Sequence, residues 1–214
     1  MQYIIMCGGQ YDKWETPRQL TKIHGEPIVS RTIRLLRECG VEDIAISTNL
    51  PDFEGLGVPV IYHNTNSYHV SKDDSSEGFW TDAFYTTDYP VCYIFGDVVF
   101  SPEAIRTIVD TDTDSIEFFA TAPPFPPEYI KPWAEPLALK VRDMDLLRKS
   151  ILETNALSRI GYFLRKPIMW ELWQVIKGTP LNMIAGNFVQ IHDYTCDIDW
   201  PEDVPKIEEM IRKL

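Results

Sequence analysis

The chain has 214 residues, with 20 Lys and Arg against 32 Asp and Glu, a formal charge of −12. That length suits a single globular domain over 1–214, and the apolar runs are too short and interrupted for a membrane span. The acidic balance, with no dense basic run, excludes a broad contact surface for nucleic acid but leaves room for a nucleotide held by a local cation cluster and a metal.

In chain order, Tyr3-Ile4-Ile5-Met6 reads as a buried parallel strand that ends at Gly8-Gly9. Pro27 suits the first turn of a helix, which continues through Ile28, Val29, Ile33, Leu36 and Cys39 at helical spacing and stops at Gly40. Ile44-Ala45-Ile46 and Val58 to Tyr62 read as the next strands. Asn64 to Gly78 reads as a long polar loop, often a functional lid. Val91 to Phe95 is a further apolar strand, broken by Gly96-Asp97. Pro123 to Pro136 is rich in proline and aromatics and reads as an ordered irregular connection. Leu137 to Val141 is a strand, Ile168 to Ile176 an amphipathic helix, Phe188 to Ile191 a late strand, and Pro201 to Leu214 a closing helix. Strands alternating with helices predict a three-layer, Rossmann-like α/β sandwich with a mostly parallel, mixed sheet.

Ligands collect at the C-terminal ends of parallel strands, where Met6-Cys7-Gly8-Gly9 lies. Adjacent glycines let backbone amides form an anion nest, and Lys13 and Arg18 can add charge to it. Asp97 ends an apolar strand, and Asp199 stands in Cys196-Asp197-Ile198-Asp199-Trp200-Pro201-Glu202-Asp203, with Asp197 the second choice. Either aspartate can equally be a turn or cap residue, Asp199 capping the last helix. The four cysteines, Cys7, Cys39, Cys92 and Cys196, form no CxxC pair, so reduced thiols are the expectation rather than zinc or disulfides. His24, His63, His69 and His192 have no ligand spacing. The N-terminus lacks a basic leader before its apolar stretch, so a cytoplasmic protein is expected.

The run Thr16-Pro17-Arg18-Gln19-Leu20, followed by Gly25-Glu26-Pro27-Ile28 and Gly40-Val41-Glu42-Asp43-Ile44, resembles the nucleotidyltransferases of the nucleotide-diphospho-sugar transferase fold. That family includes sugar-phosphate nucleotidylyltransferases, the molybdenum-cofactor guanylyltransferase and small cytidylyltransferases. Gly8 and Gly9 match its glycine pair. Lys13 stands where the family usually has arginine, Arg18 where it has lysine, and Tyr11 replaces the second loop glycine. Gly96-Asp97-Val98-Val99-Phe100 resembles its G-D-x-x-F segment, and the stretch around Asp199 its D-[IV]-D-T-P-E-D segment, with Trp200 for Thr.

The resemblance implies transfer of a nucleoside monophosphate from an NTP to a small phosphorylated acceptor, with release of pyrophosphate. It implies Mg2+ on Asp97 and Asp199, and catalytic roles for Lys13, Arg18 and Asp97. Met6, Cys7, Gly8, Gly9, Lys13, Arg18, Gly78 and Thr81 are the expected nucleotide contacts. Glu135 and Lys140 are expected on the acceptor side, within a flap around 123–185. A homo-oligomer is compatible with this reading. The alternatives are a glycosyltransferase of related fold and a non-catalytic nucleotide-binding domain.

Overall fold

The computed structural model describes residues 1–9, 14–63, 79–180 and 187–213. The polar loop expected at Asn64 to Gly78 lies outside them, as do Tyr11 and Lys13. In chain order the strands are β1 (Gln2–Met6), β2 (Lys22–Ile23), β3 (Glu26–Pro27), β4 (Ile44–Thr48), β5 (Val60–Tyr62), β6 (Val91–Phe95), β7 (Val98–Val99), β8 (Ile116–Ala120), β9 (Pro136–Val141), β10 (Val189–Gln190) and β11 (Cys196–Asp197). The helices are α1 (Ile28–Glu38), α2 (Pro102–Asp110), α3 (Met144–Arg159), α4 (Met169–Lys177) and α5 (Asp203–Lys213).

Seven strands form the central sheet in the order β10-β8-β9-β6-β1-β4-β5. Every pairing is parallel except those of β9, which runs antiparallel to both β6 and β8. The fold is therefore the expected α/β sandwich with a mostly parallel, mixed sheet. β1, β4 and β6 are apolar runs because both of their faces are covered: Ile4, Ile5, Ile46 and Ile94 are fully buried. Burying each such side chain contributes roughly 1.5–3 kcal/mol. Helices α1 and α2 pack against each other, as do α3 and α4.

Two short pairings outside the main sheet position the site. Residues of β2 and β3 form a hairpin whose turn needs positive φ at His24 and Gly25; its His24 amide donates to Glu208 of α5 at 2.8 Å. Strand β11 pairs antiparallel with β7, Cys196 opposite Val99 and Asp197 opposite Val98, and the Ile198 amide donates to the Asp97 carbonyl at 3.0 Å. This ladder joins two segments a hundred residues apart.

Helix α5 begins at Asp203, two residues later than expected. The Asp203 carboxylate accepts from the amides of Asp199 and Trp200, each at 3.2 Å. It thus takes the local turn-closing role that Asp199 could have filled, and leaves the Asp199 side chain available to the cavity.

Candidate active site

A cavity of about 420 Å³ opens at the C-terminal ends of β1 and β6, with Met6, Gly8 and Gly9 on one wall and Phe95 and Asp97 beside them. Close approach at this rim depends on Gly96. Its amide donates to the Met6 carbonyl at 3.0 Å, and a Cβ at this position would lie 2.6 Å from both the Met6 carbonyl oxygen and the Cys7 sulfur. Gly9 has φ of 83°, a conformation glycine accepts at little cost. The loop is pinned by Asn49, whose side-chain oxygen accepts from the Gly9 amide at 3.4 Å, and by Gln19, which donates to the Gly8 carbonyl at 3.3 Å.

Arg18 enters from a short 3-10 turn, Arg18–Leu20. Its guanidinium pairs with Asp97, lies 3.7 Å from Asp199 and donates to the Ile198 carbonyl at 3.3 Å. The β7–β11 ladder is the cause of this convergence, since it carries Asp97 at one end and Asp197 to Asp199 at the other.

Beyond Arg18 lies a second cation. Lys131, with a side chain only 4% exposed, pairs with Asp197, with Asp199 at 2.7 Å and with Glu135 at 3.6 Å. Glu135, Asp197 and Asp199 each offer an oxygen within 4.8 Å of the others. Burial, with the Asp197 charge adding to it, pushes the Glu135 carboxyl well above the usual carboxylate range. Burial likewise raises Asp197, against the pull of Lys131 and with the push of Asp199. Burial opposes charge on Lys131, but the neighbouring carboxylates outweigh it and hold the ammonium protonated. The loop that delivers Lys131 is stiffened by Phe125 stacked on Tyr129 at 4.7 Å, and by the Tyr129 hydroxyl donating to the Trp133 carbonyl at 2.9 Å.

The donor set fits a hard divalent cation: carboxylate oxygens, clustered at the rim of a cavity large enough for a ligand's phosphates. Across the cavity stand Trp80, Trp133, Met169 and Trp170, with Arg165 among them. Arg165 is held by the buried Glu171, at 2.8 Å from Nε to Oε1, while the other Glu171 oxygen accepts from the Ile168 amide at 2.9 Å at the start of α4.

The family model of the MobA-like NTP transferase domain matches residues 3–122, more than half of the chain. The chain belongs to that family. It is accordingly a nucleotidyltransferase. No curated protein matches it in sequence. Among solved structures, a protein of Bacillus anthracis described as a glucose-1-phosphate thymidylyltransferase is similar over 100% of this chain and 96% of its own, at 16% identity and a TM-score of 0.63. The inositol-1-phosphate CTP transferase of T. maritima is similar over 99% and 95%, at 14% identity and a TM-score of 0.60. A nucleotidyl transferase of Methanothermobacter is similar over 100% and 98%, at 12% identity and a TM-score of 0.60. At these identities the likeness speaks for the fold.

In this nucleotidyltransferase, the residues expected from sequence fall into three groups. Met6, Gly8, Gly9, Arg18, Asp97, Glu135 and Asp199 line the one cavity. Cys7, Thr81 and Lys140 do not. Cys7 is fully buried, its amide bonded to the Ser47 carbonyl at 2.7 Å. The Thr81 hydroxyl, expected to meet the nucleotide, is buried and donates to Asn155 of α3; the neighbouring Trp80 reaches the cavity instead. Lys140, expected to meet the acceptor, is near the other end of β9. It pairs in register with Cys92 near the start of β6, and its ammonium donates to the carbonyls of Val109 and Thr111 at 3.0 and 2.6 Å, closing the C-terminus of α2. Alternation and strand direction explain the error: an antiparallel β9 has Glu135 at the ligand edge and Lys140 at the opposite edge. Lys13 and Gly78 lie outside the described residues.

Lys131 and Arg165 were not expected. Each stands in an irregular segment, where no periodicity marks a site-facing residue. The available signal for Lys131 was its position four residues before Glu135 in an aromatic-rich loop, and it was too weak to single it out.

No helix of the described residues is long and apolar enough to cross a membrane.

Proposed function

We propose that the enzyme transfers a nucleoside monophosphate from an NTP to a small phosphorylated acceptor, a sugar phosphate or phospho-alcohol, with release of pyrophosphate and with Mg2+ as cofactor. The observation that carries this reading is the shared cavity of Gly8, Gly9, Arg18, Asp97 and Asp199. Backbone at Met6 to Gly9, with Lys13 and Arg18, binds the triphosphate. Asp97 and Asp199, assisted by Asp197 and Glu135, hold the metal, which when bound supplies neutralising charge and polarisation to the phosphates. Trp80 flanks the nucleotide. The acceptor lies against the flap around 123–185, where Arg165 meets its phosphate and Trp133 and Trp170 cover its remaining surface.

An acceptor phosphate is already ionised near neutral pH, so the step needs no strong general base. Its oxygen forms a bond to the α-phosphorus, the bond from that phosphorus to the bridging oxygen breaks, and the electron pair leaves with pyrophosphate. Arg18 and the backbone amides stabilise the charge that develops. A cytoplasmic setting supplies NTP, and a homo-oligomer is compatible with the exposed side of the flap.

The test is pyrophosphate release from each of four NTPs with Mg2+ and a panel of phosphorylated acceptors. One NTP with one acceptor class is expected to turn over, and Asp97→Asn to lower kcat by roughly 10³ or more with the fold intact. Full activity in Asp97→Asn, or no acceptor-dependent pyrophosphate with any NTP, would overturn the reading.

A further inference from the structure

We propose that Lys131 is a resident counter-ion of the Glu135–Asp197–Asp199 cluster and competes with the divalent cation for these carboxylates. This rests on the metal site proposed above. The observation is that one ammonium, 4% exposed, contacts all three carboxylates of the cluster. An ammonium has three N–H donors and no acceptor; here it donates to Asp197 and Asp199, with Glu135 a third anionic neighbour at 3.6 Å. The carboxylates benefit in turn, because three acids this close and this buried repel one another without a cation between them.

Magnesium binds carboxylate oxygens at about 2.0–2.1 Å and demands near-octahedral room. A cation at that range from these oxygens cannot share the space with the Lys131 ammonium. Loading therefore exchanges one cation for another. Arg18 stands in the same relation to Asp97 and Asp199, but its guanidinium sits at the cavity wall beside the anion nest, whereas Lys131 is the more deeply buried cation. The placement makes two demands. The metal-free protein keeps its acidic cluster folded and compact, and the protein alone binds divalent cations weakly, so that the metal enters chiefly with the triphosphate that carries it.

The test uses Mn2+ alone, without nucleotide or acceptor, on the full chain. Binding is followed by electron paramagnetic resonance and by calorimetry. Lys131→Met keeps the apolar stem and removes the charge; Lys131→Arg keeps the charge. Lys131→Met is expected to bind Mn2+ at least tenfold more tightly than the wild type, to melt at lower temperature without metal, and to regain that loss when Mn2+ is added. Lys131→Arg is expected to bind Mn2+ like the wild type. A merely structural lysine would leave Mn2+ affinity unchanged or weaken it, and either result in Lys131→Met overturns the proposal.

Should Lys131→Met fail to fold, trace acetylation of the wild type gives the same decision. Lys131 is expected to be protected without metal and several-fold more reactive with Mg2+, and equal labelling in both overturns the exchange. Neither experiment contains substrate. A failed turnover screen would therefore count against the transferase chemistry alone, and unchanged metal binding against the counter-ion alone.

Discussion

A guanidinium with half its surface in solvent is ordinarily a mobile charge, and mobility weakens any claim that it recognises a ligand. Arg165 differs because of what lies behind it. Glu171 is 2% exposed at its side chain, and its two oxygens accept from the Arg165 Nε and from the Ile168 amide. The arginine is thereby fixed to the first turn of α4, beside Met169 and Trp170 and facing the same cavity as Gly8 and Gly9. A fork held on one edge can present its remaining donors to a planar anion without further loss of freedom. Arg165→Gln is expected to raise the acceptor KM about tenfold or more, with NTP affinity little changed, since the loss of one charge-assisted contact acts on the substrate that makes it. Steady-state kinetics with each substrate varied in turn, and calorimetry with NTP alone, separate the two. An unchanged acceptor KM, or an NTP affinity that falls in step, would remove Arg165 from the acceptor side.

At the scale of elements, the turn from β6 to β7 decides how near Asp97 comes to the glycine loop. Gly96 packs its α-carbon on the end of β1, with no room for a methyl group against the Met6 carbonyl. Backbone cannot swing aside as a side chain can, so Gly96→Ala forces β1 and the β6–β7 turn apart. Overpacking of this kind costs about 1–3 kcal/mol, which urea unfolding would register. Activity is expected to fall further than stability alone explains, because the same shift separates Gly8 and Gly9 from Asp97. A variant as stable and as active as the wild type would refute the close-packing argument. Elements such as β1, α1, β4 and β6 were legible in the sequence because each is an apolar run or helical stripe bounded by glycine or proline. Helix α3 was not, although it is the longest: exposed Leu152, and exposed Ile160 just past its end, blur its apolar pattern. Helix α2 carries a local start signal in Ser101-Pro102-Glu103, where the Ser101 oxygen accepts from the Ala104 amide at 2.8 Å, and β8 is a short apolar run, Ile116 to Ala120, broken by Glu117. The meeting of Asp97 with Asp199 could be read only through family resemblance, since it depends on the β7–β11 ladder, two residues on each strand. Lys131 depends on the path of an irregular loop, and no local pattern encodes that path.

Across the whole molecule, the buried apolar residues fall into a large cluster around the central sheet and a smaller one around β2, β11 and α5. Val98 belongs to the first and its neighbour Val99 to the second, so consecutive side chains on one two-residue strand join them. The acidic half of the site hangs from this joint. A joint made of fully buried neighbours makes the clusters one cooperative unit, and the thiols report on it. Cys7 and Cys92 sit in the large cluster and Cys196 in the small one. Burial raises all three thiols, Cys92 to about 12, with the Asp97 charge adding to the effect at Cys7 and Asp197 at Cys196. Cys39, after α1, is half-buried, and its smaller upward shift leaves it the accessible thiol of the four. Alkylation requires the thiolate, so iodoacetamide on the native protein is expected to modify Cys39 alone. In a urea series read by mass spectrometry, Cys7, Cys92 and Cys196 are expected to become reactive together, at the midpoint seen by circular dichroism. If Cys196 were modified at distinctly lower urea than Cys7 and Cys92, the small cluster would open by itself, and Asp197 and Asp199 would then be carried on a separately unfolding part rather than on the frame that holds Asp97.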